Sequence, residues 1–393
     1  MWYYTPIMTH YSAMGRAMIR IVHGVAAARK KMEIWFMLWR LALAVLSAVL
    51  CLAAAVPLRC AQAQDMQPSP FTEPSLTPIR VVTINSSACN AGLDSASEAA
   101  TQAALQSALN AAAGGTLWIP AGCVLNLNTS GTISGNTTVM CAGDGIAGFH
   151  NTQGLVCAGA QPMLWAAAQS NITIKGCTFS NTYNPANYTV MEQYIASPSG
   201  CNSPNWLPSG NDVVKMFGST NTVFTNNLVT HQFAGEGVLL SGGSASVTYN
   251  IFKDNAWNNG LMLVNTSSTV QYNWFQNSQF AIVDQRGRTP STTGSFSNNT
   301  FTCTQPVSSE TETDNVPSCS NGYRAVYICD VVSGCDLPTG TTGTCNYSGF
   351  SIANNIFAGP GVGMQWNVSM NFANDGGGNQ FIDGAQNACG GGY

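Results

Sequence analysis

The feature that most constrains this chain is a short motif that recurs at a fixed spacing. The pattern Val-x-Tyr-Asn-x-Phe occupies residues 247–252 and again residues 270–275, so that Asn250 and Asn273 are 23 residues apart. A repeat of this length is typical of solenoids, in which each repeat is one structural unit stacked on the next. The motif therefore predicts the architecture of the whole chain.

Similar stretches extend the repeat in both directions. Further anchor asparagines at 227, 299 and 355 continue the series with steps of 23, 26 and 56 residues. Each unit alternates apolar and polar residues over a few positions and then turns, and second short strands follow at 238–240, 261–263 and 281–283. Because so short a unit has no room for a crossover helix, the repeat predicts an all-β parallel β-helix.

The recurrence of asparagine and phenylalanine has a physical explanation in such a fold. A side-chain amide turned inward at each corner can donate and accept hydrogen bonds along the stack, which satisfies buried backbone groups. We therefore expect Asn227, Asn250 and Asn273 to lie in register on neighbouring coils. Phe252 and Phe275 are expected to fill the interior.

A helix is predicted before the repeats begin. Residues 95–113 place Leu105, Ala108, Leu109 and Ala112 on one helical face, and Gly114-Gly115 ends the pattern. The stretch QAALQSALNAAAGGTLWIPAGCVLNL (102–127) resembles the capping helix and first coil of the pectin-lyase-like superfamily. The resemblance covers about residues 85–383. It implies a right-handed parallel β-helix with an N-terminal capping helix, and an activity of the pectate lyase or glycoside hydrolase kind.

The N-terminal segment has the pattern of an export signal. Arg29, Lys30 and Lys31 precede an apolar run at 41–56, and Ala-Gln-Ala at 61–63 fits a cleavage site. We expect residues 1–63 to be a signal peptide with an upstream extension, since Met32 is a second possible start. An uncleaved anchor is the alternative. Residues 64–84 are predicted to be a linker and 85–393 the β-helix domain.

Cysteine usage agrees with export to an oxidising compartment, secreted or periplasmic. Removal of the signal leaves twelve of the fourteen cysteines, an even number, and no spacing suggests a zinc site. We expect all twelve to be in disulfides: Cys89, Cys123, Cys141, Cys157, Cys177, Cys201, Cys303, Cys319, Cys329, Cys335, Cys345 and Cys389.

The charge of the chain argues against some partners. Only 8% of the residues are charged and the net charge is −4, which provides no basic surface for nucleic acid or an anionic membrane. We expect a monomer with polysaccharide as its partner and no membrane contact after signal cleavage.

Two stretches interrupt the period. Residues 181–211 contain Tyr194 and Trp206, and residues 303–345 contain five cysteines and an acidic cluster. Insertions in a solenoid usually leave from one face and wall a groove, so Tyr194 and Trp206 are candidates for stacking on sugar rings. The alternative is that these insertions are disulfide-linked loops that only cover apolar side chains.

Polar residues recur at two offsets from the anchor asparagines. Asp212, Glu236 and Asn259 each lie two residues before the first inward residue of a second strand, which predicts one column with neighbours about 4.8 Å apart. Close carboxylates can divide acid and base roles, or they can hold Ca²⁺ together with the amide. The third interpretation is that these polar residues stack only because turns are polar, and that they have no function.

A second column brackets the same turn and consists of His231, Asp254 and Asn277. His231 is the candidate acid or base from this column. Asp212, Glu236, His231 and Asp254 are therefore expected to converge.

The segment DQRGR (284–288) resembles the arginine-containing segment of pectate lyases, in which a guanidinium assists proton removal next to a carboxylate. Arg286 and Arg288 are the candidates for that role, with Lys215 or Lys253 binding substrate. Lys215 aligns with Leu239 and Met262, which predicts that it points off the helix. A surface pair of Asp284 with Arg286 is the alternative.

The sequence leaves two classes of function open. The motifs of the polygalacturonase branch, including Gly-His-Gly and a pair of adjacent aspartates, are missing. An exported polysaccharide lyase or glycoside hydrolase, with calcium as a possible cofactor, is the first class. A non-catalytic carbohydrate-binding or adhesin-like protein is the second, favoured by low charge and by apolar residues expected at outward positions, namely Leu239, Met262 and Ile282.

Overall fold

The structure is a computed structural model. It describes residues 80–152, 161–181, 213–230, 233–253, 256–276, 280–286, 293–302, 324–330, 349–358, 366–368, 375–382 and 385–387. The backbone alone is described at residues 233–236, 256–259, 280–281, 283–286, 324, 327–330, 366–368 and 385–387.

The described chain passes through three parallel sheets in a fixed order. The first sheet contains Val81–Thr83, Thr116–Ile119, Thr138–Cys141, Thr173–Lys175, Thr222–Thr225, Ser244–Thr248, Ser267–Gln271, Gly294–Ser297 and Phe350–Ala353. The second contains Val124–Leu127, Gly148–Asn151, Thr178–Asn181, Leu228–Thr230, Ile251–Lys253, Trp274–Gln276, Thr300–Thr302, Ile356–Ala358 and Gln380–Ile382. The third contains Gly131–Thr132, Leu164–Ala167, Val214–Phe217, Phe233–Ser241, Ala256–Val264, Phe280–Arg286, Arg324–Asp330, Trp366–Val368 and Ala385–Asn387.

This order is that of a right-handed parallel β-helix, as the repeat and the resemblance predicted. Each coil adds one strand to every sheet, and equivalent residues pair from coil to coil. Phe224, Val247, Val270 and Phe296, for example, are successive register partners in the first sheet. The predicted parallel β-helix is therefore confirmed.

The predicted helix covers the first coil of the solenoid. It spans Ser95–Ala111, and the carboxylate of Asp94 caps it by accepting from two backbone N–H groups. Leu105 and Leu109 pack against Gly131, where a Cβ atom would lie within 2.8 Å of Leu105. The strand Val81–Thr83 pairs with Thr116–Ile119 and lies inside the segment that the sequence assigned to a linker.

A ladder of buried asparagines runs through the corner between the first and second sheets. The Oδ1 atom of Asn250 accepts from the backbone N–H of Asn227 at 2.9 Å and from its Nδ2 at 3.1 Å. Asn273 accepts from Asn250 in the same way, and its own Nδ2 donates to the Val247 carbonyl at 2.8 Å. The pattern continues through Asn299 and Asn355 to Asn379. The predicted register of the asparagines is confirmed.

The residue before each ladder asparagine has a left-handed backbone conformation. Its φ angle is between 54° and 58° at Asn226, Tyr249, Tyr272, Asn298 and Asn354. Asparagine tolerates this conformation well, whereas a bulky side chain rarely adopts it. Tyr249 and Tyr272 therefore occupy turn positions that suit them poorly.

Phenylalanines fill the interior in layers, as predicted. Phe252 and Phe275 are fully buried and their ring centroids are 4.6 Å apart. The same column continues beyond them through Phe301, Phe357 and Phe381. Where the second sheet has Val229 instead of phenylalanine, Phe224 of the first sheet stands between Phe179 and Phe252.

Two disulfides join neighbouring coils near the helix. Cys89 is bonded to Cys123, and Cys141 to Cys177. The remaining mature cysteines lie outside the part of the chain whose side chains are described. No helix in the described part is long and apolar enough to cross a bilayer.

One predicted outward residue points inward. Ile282 is fully buried and pairs with Leu261 and Val326, which belong to the interior. The prediction was wrong because Ile282 follows its anchor, Asn273, by nine residues, whereas Leu261 follows Asn250 by eleven. The chain between the second and third sheets is shorter in this coil.

We expect Asn273→Ala to lower the free energy of unfolding by about 2–5 kcal/mol, because it removes the acceptor for two buried N–H donors of Asn250 and the donor to Val247. Urea denaturation measures the change. Asn298→Gly is the matched control, since glycine tolerates the left-handed turn, and should change stability by less than about 1 kcal/mol. Equal effects of the two substitutions would contradict a stabilising ladder.

Cys89, Cys123, Cys141 and Cys177 should resist alkylation in the native protein and react after reduction. Mass spectrometry of the unreduced digest should recover the two linked peptide pairs. The double variant Cys141→Ser with Cys177→Ser should lose about 2–4 kcal/mol of stability. Alkylation of these cysteines without reductant would contradict the pairing.

Candidate functional site

The outer face of the third sheet contains an aromatic and cationic cluster. Trp165 and Phe217 lie with ring centroids 5.2 Å apart and ring planes tilted by 47°. The Nζ atom of Lys215 lies 5.4 Å from the centroid of the Phe217 ring, within the range of a cation–π interaction. Phe217 is 36% exposed. The cluster therefore presents an aromatic edge and a positive charge at the surface.

Lys215 lies where the sequence predicted. It pairs in register with Trp165 on one side and Leu239 on the other, and Leu239 pairs with Met262. Val238 and Leu261 belong to the interior, so Leu239 and Met262, which follow them, point outward. Even so, Leu239 and Met262 are each only 7% exposed. This part of the outer face is therefore covered, which weakens the argument for an exposed apolar adhesin surface.

The strands that follow Lys215 place chemically useful residues in one row. Glu236 pairs with Asn259, Asn259 with Phe280, and Phe280 with Arg324, each on the next strand of the third sheet. Adjacent strands are about 4.8 Å apart, so Glu236 and Arg324 are separated by roughly 14 Å along the row. The predicted neighbours Glu236 and Asn259 are thus paired through their backbones. Their roles stay predictions.

Several predicted site residues cannot be placed. Arg286 ends its strand opposite Asp330, and its backbone alone is described. The others lie outside the described residues: Asp212, His231, Asp254, Asn277, Arg288, Tyr194 and Trp206. Their convergence therefore stays a prediction.

Sequence reasoning missed Trp165 and Phe217 on this face, and it missed Arg324 in the row that begins at Glu236. Trp165 precedes its partner Lys215 by 50 residues because the segment 182–212 lies between their strands. Arg324 is likewise separated from the preceding coil by a long segment, residues 303–323, which interrupts the repeat. Phe217 lies two residues after Lys215 and therefore on the same face of the strand, and this spacing is the signal that could have identified it.

The described groups with shifted pKa values lie at a helix start, in a turn and on a strand of the second sheet. Hydrogen bonds from the hydroxyl and backbone N–H of Ser97 lower the pKa of Asp94. Burial raises the pKa of Asp144, but three backbone N–H donors outweigh burial, so its pKa is lowered. Burial lowers the pKa of His150, which lies 2.8 Å from the Ser180 hydroxyl. None of these groups belongs to the third sheet.

A metal site is not formed by the side chains that the structure describes. Among them, no three His, Cys, Asp or Glu residues lie close enough to hold one ion. The predicted calcium ligands Asp212, Glu236 and Asn259 fall outside that set. Carboxylate and amide oxygens are suitable calcium ligands, so the residue types fit the ion.

Comparisons with known proteins find only distant similarity. No family model matches the sequence, and no curated protein is similar to it. The catalytic unit of a GH87 alpha-1,3-glucanase from Streptomyces thermodiastaticus is 14% identical over 81% of this chain and 49% of its own, with a TM-score of 0.44. This chain thus spans about half of that catalytic unit.

Two further solved structures differ from each other in function. The surface protein and adhesin PfbA of Streptococcus pneumoniae is 11% identical over 77% of this chain and 89% of its own, with a TM-score of 0.39. A polygalacturonase from Erwinia carotovora is 10% identical over 82% and 98%, also with a TM-score of 0.39. Similarity at this level transfers none of these activities.

Proposed function

We propose that the protein is an exported polysaccharide-cleaving enzyme whose substrate binds where the chain enters the third sheet. The backbone register of Glu236, Asn259, Phe280 and Arg324 supports the proposal, because it brings residue types with a carboxylate, an amide, an aromatic ring and a guanidinium to equivalent positions of consecutive strands. The cluster of Trp165, Lys215 and Phe217 lies on the outer face of the same sheet. This combination suits a sugar polymer that carries carboxylates.

The reaction that best fits these residue types is β-elimination on a uronic-acid polymer. Arg324 or Lys215 pairs with a uronate carboxylate, which makes the proton on the adjacent carbon more acidic. A base, for which Glu236 and His231 are the candidates, removes that proton. The electron pair forms a carbon–carbon double bond as the glycosidic C–O bond breaks, and the leaving oxygen takes up a proton.

Hydrolysis by two carboxylates is the second candidate. It rests on the predicted neighbours Asp212 and Glu236, whose side chains would act as acid and base or nucleophile. Elimination produces an unsaturated uronate that absorbs in the ultraviolet. Hydrolysis produces new reducing ends without that absorbance, so the two reactions are separable on one substrate panel.

Export is part of the proposal. The basic segment, apolar run and Ala-Gln-Ala of residues 1–63 support signal cleavage. The disulfides Cys89–Cys123 and Cys141–Cys177 fit a secreted or periplasmic location, since such bonds persist in oxidising compartments. Amino-terminal sequencing of the exported protein should begin near Gln64.

Glu236→Gln and Arg324→Gln should each lower cleavage of the accepted polymer by about 10²–10⁴-fold, as expected for loss of a catalytic base or of charge stabilisation. Ultraviolet absorbance and reducing-end assays on polygalacturonate, alginate and neutral glucans measure the rate. Arg80→Gln, which removes an exposed charge outside the third sheet, should leave the rate unchanged. Normal cleavage by both site variants would overturn the assignment.

Calcium should raise the melting temperature if Asp212, Glu236 and Asn259 bind it, because a ligand that binds only the folded state stabilises that state. Asp212→Asn and Glu236→Gln should abolish the rise, and magnesium at equal concentration should not replace calcium. Differential scanning calorimetry with and without a chelator measures the effect. A calcium-dependent rise that persists in both variants would place the ion elsewhere.

A further inference from the structure

The outer face of the first sheet differs chemically from that of the third. Its nine described strands contain no aspartate or glutamate. One outward row consists of Val223, Ser246, Thr269, Ser295 and Ser351, which pair in register. The face is therefore flat, uncharged over most of its length and rich in hydroxyl groups.

A groove lies where the strands of this sheet begin. It has a volume of about 400 Å³, within the range of ligand sites. Its lining consists of hydroxyl, amide and small apolar groups, including Asn221, Ser244, Ser246, Ser267 and Thr269. None of the described residues that line it is charged.

An aromatic pair lies at the opposite end of the same strands. Tyr249 and Tyr272 are 52% and 43% exposed, and their rings are stacked with centroids 5.0 Å apart and planes within 8° of parallel. Each follows an outward-facing polar residue of its strand, Thr248 or Gln271. From Ser244 to Tyr249 the strand rises about 16 Å, which leaves room for several sugar units between groove and rings.

These tyrosines are not required by the turn that they occupy. Asparagine stands at the equivalent position in three other coils, at 226, 298 and 354, with the same left-handed backbone. A bulky residue is disfavoured in this conformation, so the turn itself favours asparagine. A bulky residue in an unfavourable left-handed conformation is a reason to look for a function.

We propose that the outer face of the first sheet binds a neutral polysaccharide, separately from the reaction on the third sheet. Tyr249 and Tyr272 stack against sugar rings at one end, and the hydroxyl-lined groove hydrogen-bonds the chain at the other. Aromatic rings beside uncharged donors and acceptors recognise the apolar faces and hydroxyl groups of sugars. The lack of carboxylates and the near lack of cations point to a ligand without charge.

The geometry of the pair defines where the sugars stack. One face of each ring contacts the other ring, so the free faces are those turned toward the adjacent coils. The turn positions of those coils hold Asn226 and Asn298, whose side chains are shorter than tyrosine. The Asn226 amide donates to the Thr225 hydroxyl at 3.1 Å.

The full mature chain should be retarded in native gels that contain a neutral glucan, mannan or xylan, and not in gels that contain polygalacturonate at high salt. The double variant Tyr249→Asn with Tyr272→Asn should raise the Kd for the neutral polymer by at least tenfold. Because asparagine suits the turn, the variant should fold with a melting temperature equal to or above that of the parent. Tyr249→Phe with Tyr272→Phe keeps the rings and should retain binding.

Ile146→Ser is the matched control, since Ile146 is exposed on a different turn and should not affect binding. Cleavage of short soluble substrates should be unchanged in the double asparagine variant, which separates this surface from the proposed active site. Binding equal to that of the parent in this variant, or no retardation by any neutral polymer, would overturn the proposal. A fall in melting temperature without loss of binding would show that the pair only stabilises the turn.

Discussion

The hydrogen bond between asparagine side chains on successive coils is the interaction on which the rest of this structure depends. Each Oδ1 accepts from the backbone and side chain of the preceding coil, and Nδ2 donates to a buried backbone carbonyl, which for Asn273 is that of Val247. A buried N–H left without an acceptor costs about 1–3 kcal/mol. Once Asn250 is fixed above Asn273, the first and second sheets can pair in one register only, and the outward rows of these two sheets follow from it.

The corners of the coil differ in how strictly their number of residues is fixed. At the asparagine corner, the equivalent residues of the two central repeats are 23 apart, as are the asparagines themselves. In the third sheet, the partners Leu263 and Asp284 are 21 apart, so the chain absorbs a difference before that sheet without losing register. The corner leading into the third sheet therefore tolerates changes in length. It is also where the candidate catalytic residues lie, which agrees with function on loops held by a rigid scaffold.

Much of the fold could be predicted because it repeats. The asparagine register, the buried phenylalanines and the capping helix all follow from local periodicity. The third-sheet site could not be predicted to the same degree, since Trp165 and Arg324 are joined to their partners across long segments that carry no repeat. Ile282 was placed on the wrong face because the predicted strand 281–283 was matched position for position with 261–263, whereas the shorter corner of this coil pairs Ile282 with Leu261. Tyr249 and Tyr272 were visible in the motif, but their exposure depends on the turn geometry.

Phe224 gives the interior one irregular layer, and this affects how such a protein can change in length. It occupies the space that a phenylalanine at position 229 would fill, between Phe179 and Phe252. The coils anchored at Asn250 and Asn273 have no such exchange between sheets, because Phe252 and Phe275 stack directly. Duplication or deletion of a whole coil among these units preserves the packing on both sides. Duplication of the coil that contains Phe224 would instead bring two Phe224 rings together, and its deletion would leave a void. Lengthening of the solenoid by coil duplication is therefore confined to the coils that follow Phe224.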